Sequence, residues 1–239
     1  MITGIVVALP EEATTLTSKR IEKRHCVFIR DKVLIAYSGA GADNAKIAAD
    51  LLINKGANRL ISWGCAAALS DSLKPGDLVL ADSLIDVDDN ELTLSSAWYD
   101  FAKSVIGSVL PVHSGALTES VNIISSSREK QHLNTITNAI ALDMESIAVA
   151  KVAKQKSLPF ISVRAIVDPA NMNLPQAIRY AATDAGDIIL SRLLLFIALH
   201  PTELPGLIRL ARYFNAAKKT LVRVASKLDQ ITDFNKPLV

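Results

Sequence analysis

The chain has 239 residues, half of them apolar and 21% charged, with 26 basic side chains against 24 acidic ones. That length supplies core enough for one domain, and the mixture excludes a disordered or collagen-like chain. The formal charge of +2 is too small to argue for nucleic acid by itself.

Apolar, β-branched runs alternate with helical patterns, which predicts an α/β fold around a mixed sheet buried on both faces. Strands are predicted over residues 2–9, 25–29, 33–37, 59–63, 77–82, 112–117, 139–142 and 159–167. Helices are predicted over 44–55, 96–104, 126–133, 144–156, 176–199 and 204–228. Asp43 is placed to cap the first helix and Gly56 to end it. No repeat or linker interrupts the pattern, so a single domain spanning 1–239 is expected. The first nine residues lack a basic n-region and read as a strand rather than a signal peptide. The most apolar run, residues 188–199, is too short to span a bilayer and contains Arg192. A soluble, cytoplasmic protein is expected.

Cys26 and Cys65 form neither a disulfide framework nor a CxxC pair, and their apolar flanks suit buried thiols. The four histidines show no metal-ligand spacing, so neither metal nor other cofactor is expected. Ser38-Gly39-Ala40-Gly41 follows a strand and opens a helix, but it lacks the third glycine of a dinucleotide fingerprint. The turn reads equally as a plain tight turn or as one facing a polar ligand. Trp63-Gly64-Cys65-Ala66-Ala67-Ala68 ends a strand in small residues, where a ligand can approach the backbone.

Carboxylates recur at strand ends: Glu11 and Glu12, then Asp143 and Glu145, then Asp168. Each alone suits a helix N-terminus or a turn. Together they place acids where open α/β sheets bind ligands, and burial there raises carboxyl pKa values towards those of an acid catalyst.

From Ile5 to Asn171 the order of these motifs resembles the purine nucleoside phosphorylase and methylthioadenosine/S-adenosylhomocysteine nucleosidase superfamily. The resemblance implies a mixed twisted sheet flanked by helices. It also implies cleavage of a nucleoside N-glycosidic bond, in a dimer or larger homo-oligomer. By the same resemblance, Asp168 protonates the leaving purine at N7, Glu12 positions the attacking water, Glu145 holds the ribose hydroxyls and Met144 lies beneath the sugar. Arg164 matches a supporting arginine on the strand of Asp168, and Gly64, Cys65 and Ala66 line the site. Ala67 and Ala68 stand where the nucleosidases carry a glycine pair. The stretch 115–122 lacks their base-stacking aromatic residue, a place Trp63 is expected to take. The segment 11–18 holds no arginine for phosphate, which favours hydrolysis while leaving inorganic phosphate open as a co-substrate.

Residues 201–239 carry seven basic groups and three acids, against 19 and 21 in the rest of the chain. Leu207, Leu210, Phe214, Leu221, Ala225 and Leu228 fall on one face of the final helix, opposite Arg209, Arg212, Lys219, Arg223 and Lys227. That helix can pack on the domain or lie on a membrane surface. This tail, with Asp168-Pro169-Ala170 and Leu174-Pro175, resembles the hopanoid-associated phosphorylase subgroup, which implies adenosylhopane as substrate and adenine as leaving group. A non-catalytic nucleoside- or lipid-binding membrane protein is the alternative of another class.

Overall fold

The computed structural model describes residues 1–94, 96–181, 183 and 189–234. In chain order the elements are β1 (Thr3–Val7), α1 (Pro10–Ala13), β2 (His25–Arg30), β3 (Val33–Tyr37), α2 (Ala42–Asn54) and β4 (Arg59–Ala68). Then come β5 (Leu78–Leu80), β6 (Ser83–Ile85), β7 (Glu91–Thr93), α3 (Ala97–Gly107), β8 (Val112–His113), β9 (Ala116–Glu119) and α4 (Ser127–Thr137). β10 (Ala141–Asp143), α5 (Ser146–Gln155), β11 (Phe160–Asp168) and α6 (Gln176–Ala181) follow. The chain continues through α7 (Leu190–Leu199), a 3-10 turn at Pro201–Glu203, α8 (Leu204–Ala225) and α9 (Leu228–Thr232).

Successive residues of a strand point to opposite faces, and both faces of this sheet are covered. Val6, Leu34 and Ala36 face a layer built by α2 and α5, through Ala45, Ala49, Leu52, Val149 and Val152. Ile5, Val7 and Ile35 face the other layer, where Trp98 and Ile106 of α3 meet Leu221 and Val224 of α8. The sheet is mixed, as the residue pattern predicts: β1 runs parallel to β3 and β4, while β10 is antiparallel to β4.

β4 organises the molecule. On one side it pairs with β11 from Leu60 to Ala67. On the other it pairs with β1 only as far as Trp63, and with β10 from Ala67 onwards. Gly64, Cys65 and Ala66 therefore border a split in the sheet. The expected strand over 59–63 stops short of this, because Gly and Ala carry little strand propensity and the extension is imposed by neighbouring strands.

Several boundaries differ from expectation. Gly41, not Asp43, occupies the N-cap of α2, at φ +94°, and Asp43 sits in the first turn facing the helix dipole. The helix expected over 176–199 is observed as α6 and α7, with residues 182 and 184–188 lying outside the described residues. The final helix divides into α8 and α9. Its apolar stripe turns inward at the C-terminal half, where Ala217, Leu221, Val224 and Leu228 are buried. Arg223 donates there to the Val109 carbonyl.

Candidate active site

α1 begins two residues after β1 and drops Glu12 into the split. Its Oε2 accepts the N–H groups of Ala8 and Leu9, both at 3.0 Å, and its Oε1 accepts the Cys65 N–H at 2.8 Å. A carboxylate offers about four acceptor positions, so roughly one remains, on Oε1. Burial pushes the Glu12 carboxyl above its ordinary pKa, with the nearby Arg164 charge and the three backbone N–H groups opposing. Gly64 is required by the close approach: a Cβ there would stand 2.6 Å from Arg164 Nη1 and collide with Glu12 Oε1.

Arg164 is the hub. Fully buried on β11, its Nε donates to Asp143 Oδ2, and its Nη2 donates to Ser62 Oγ at 2.6 Å and Ser146 Oγ at 3.1 Å. The same Nη2 lies 4.0 Å from Glu145 Oε2. Ser62 and Ser162 face each other in register on β4 and β11, and Ser162 shares a 2.8 Å hydrogen bond with Ser146. Asp143 also accepts the backbone N–H groups of Glu145 and Ser146, which fixes the strand-to-helix corner bearing Met144 and Glu145. Met144 is half-buried there.

Glu145 closes the site from the far side. Its Oε1 accepts the Gly41 N–H at 2.9 Å, so the Ser38-to-Gly41 turn faces the acid cluster rather than a dinucleotide. Burial, reinforced by the Asp143 charge, raises Glu145 to about 7 against the pull of Arg164.

Asp168 ends β11 at a bulge. Ile166 pairs with Ala66 while Asp168 pairs with Ala67, so Val167 is unmatched and the terminal side chain is re-aimed. Asp168 Oδ2 meets Lys130 Nζ at 2.7 Å, and this wholly buried ammonium also donates to the carbonyls of Pro169 at 3.0 Å and Met172 at 2.8 Å. Asp168 Oδ1 is buried without a hydrogen-bond partner. Desolvation raises its carboxyl to about 6, with Lys130 holding it down. Along β4, Gly64 beside Glu12 and Ala67 beside Asp168 are separated by about 10 Å of strand rise.

The split thus gathers Glu12, Gly64, Cys65, Glu145, Arg164 and Asp168 along one stretch of β4. Ala66 is buried beside it against the α2–α5 layer. Trp63 is a correction. It faces the opposite layer at 1% exposure, donates its indole N–H to Thr15 Oγ1 at 3.0 Å, and leaves no ring face for a base. Alternation along β4 explains this, since Ser62 and Gly64 point towards Arg164 and the residue between them points away. Sequence reasoning leaves Lys130, Asp143 and the three serines without roles. Ser62 and Ser162 were signalled as hydroxyls set inside otherwise apolar strand runs, whereas Ser146 opens α5 and carried no such signal. Lys130 was not signalled, because a lysine on a polar helix reads as solvated.

A separate cavity of about 210 Å³, lined by Met1, Arg59, Trp98, Leu158 and Phe234 among others, lies at the amino ends of β1, β4 and β11. Its described lining carries no carboxylate, and it sits at the wrong end of the strands for the ligand site of an open α/β sheet. Among the described residues no group of three or more His, Cys, Asp or Glu side chains is placed to hold a metal ion.

Known proteins resemble this chain in sequence and in fold. The 5'-methylthioadenosine/S-adenosylhomocysteine nucleosidase of Staphylococcus aureus is 31% identical over 200 residues, covering 70% of this chain and 86% of that protein. The fold is shared with futalosine hydrolase of Helicobacter pylori, at a TM-score of 0.69 with 20% identity over 97% of both chains. It is shared also with the 5'-methylthioadenosine/S-adenosylhomocysteine nucleosidase of Neisseria meningitidis, at 0.71 with 17% identity over 96% of this chain and 98% of that one. The family model of the phosphorylase superfamily matches residues 3–194, most of the chain and all the acids of the split, and the protein belongs to that superfamily.

Proposed function

We propose that the chain hydrolyses the N-glycosidic bond of a 5'-substituted adenine nucleoside and releases adenine. The observation that carries this reading is Asp168, a buried acid with a pKa raised to about 6 and one unpartnered oxygen, set along β4 from a water-positioning glutamate. Breaking C1'–N9 builds positive charge on the ribose and negative charge on the base. Asp168 protonates the base at N7, and the carboxylate left behind is met by Lys130. Glu12 uses its remaining acceptor position to orient water and take its proton as C1' is attacked. Glu145 accepts from the ribose hydroxyls above Met144.

Water is favoured over phosphate because the carboxyl groups of Glu12 and Glu145 flank the proposed sugar position. Arg164, the guanidinium among them, is already bound to Asp143, Ser62 and Ser146. An incoming phosphate would face like charge. For the 5' group we propose an apolar chain of the adenosylhopane kind, supported by the strongly apolar α7 that follows the Asp168 segment. Adenine release from methylthioadenosine and from a lipid-linked adenosine, each with and without phosphate, tests both parts. Release independent of phosphate supports hydrolysis, and faster turnover of the lipid-linked nucleoside supports the apolar 5' group. Ligand binding without any release overturns the enzyme.

A further inference from the structure

α7 reads Leu-Ser-Arg-Leu-Leu-Leu-Phe-Ile-Ala-Leu, yet none of its described side chains is buried. Leu194, Leu195 and Leu199 are 58%, 54% and 68% exposed. The first half of α8 continues the surface, with Leu204 and Ile208 each 46% exposed. A helix this apolar is ordinarily covered, and clustered exposed apolar surface marks a contact. The two helices meet at a bend of 107°.

The elbow is fixed in place from the reaction side. Glu203 accepts the Gln176 N–H at 2.8 Å, Tyr180 and Phe196 lie ring to ring at 5.1 Å, and Gly206 fits against Pro175. It therefore projects from the segment that follows Asp168.

Charge identifies the occupant. Residues 189–215 contain three arginines, Arg192, Arg209 and Arg212, all exposed, and a single acid, Glu203, which is engaged as just described. A second copy on a twofold axis would set this patch against itself, arginines included. An anionic bilayer complements both the leucines and the cations. The ten residues of α7 extend about 15 Å, half the hydrocarbon thickness, and no single helix among the described residues is long and apolar enough to cross a membrane.

We propose that the α7–α8 elbow docks the protein on an anionic lipid surface, its leucines entering the acyl boundary and its arginines meeting headgroup phosphates. The inference goes beyond the reaction and rests on this surface alone.

The test is sedimentation of the full chain with phosphatidylcholine vesicles containing about a quarter phosphatidylserine, and with pure phosphatidylcholine. The wild type sediments with the anionic vesicles and is released by salt. Leu194→Glu with Leu195→Glu weakens this binding about tenfold or more, and Arg209→Glu with Arg212→Glu does so to a similar degree. Both variants keep the thermal midpoint of the wild type. A wild type that ignores anionic vesicles, or variants that bind as well as it does, overturns the proposal. So does an oligomer that the leucine variant dissolves in a protein with no affinity for vesicles, since the covering surface is then a second copy. Vesicle binding without adenine release counts against the proposed reaction and leaves the docking surface standing.

Discussion

In the split of the sheet, Glu12, Asp143 and Arg164 are buried and each is held by several hydrogen bonds. On the α7–α8 elbow, Leu194, Leu195 and Leu199 are exposed, with little among the described residues covering them. The first region is specified from within: four carboxyls share two cations, Arg164 and Lys130, and burial leaves part of that negative charge uncompensated. Raised carboxyl pKa values follow, and with them a proton donor working near neutral pH. The second region is tied to the fold through Glu203, Phe196 and Gly206, but its leucines remain exposed among the described residues, the surface that the proposed lipid contact would cover.

Substitutions in the two regions should therefore fail differently. The largest effect is expected from Arg164→Met, which strands Asp143 and Glu145 without their guanidinium. Breaking a buried pair in this way costs about 3–5 kcal/mol, so urea unfolding should show a midpoint well below the wild type. A wild-type midpoint would mean that the cluster is not held through Arg164. Gly64→Ala comes next, since its Cβ must push Glu12 and Arg164 aside, and overpacking of this kind costs about 1–3 kcal/mol. Differential scanning calorimetry should register that loss together with a fall in turnover, whereas unchanged turnover would separate Glu12 from the reaction.

More diagnostic of the reaction itself is Lys130→Met. Asp168 must be protonated to act as an acid, so kcat/KM for adenine release falls as pH rises above about 6. Lys130 holds the Asp168 pKa down, and its removal moves this alkaline limb to higher pH. An unmoved limb, or one moved to lower pH, would detach Lys130 from the titration.

How much of this could be read in the chain differs between the same two regions. Strand-end acids are legible because the carboxyl ends of an α/β sheet are where ligands bind, and Glu12, Glu145 and Asp168 are found there. Lys130 was illegible, because nothing in Ser-Arg-Glu-Lys-Gln-His distinguishes a lysine that points into the protein from one that points out. The aim of Asp168 depends on a bulge at Val167 that exists only in the pairing of β11 with β4. The same is true of β4 beyond Trp63 and of the three-residue hairpin strands β6 and β7, where tertiary pairing overrides weak local propensity. The amphipathic face of the last helix was visible as a pattern. Which half of it meets the core is decided by packing against β11 and α3, which periodicity does not encode.

The central claim is that Asp168 delivers the proton to the leaving base. Its most direct test is single-turnover adenine release from methylthioadenosine by the wild type and by Asp168→Asn, with folding of the variant checked by circular dichroism. An amide cannot donate an acid's proton, so the rate should fall by about 10²–10⁴-fold while the fold persists. Near-native release by a folded Asp168→Asn protein would contradict the account.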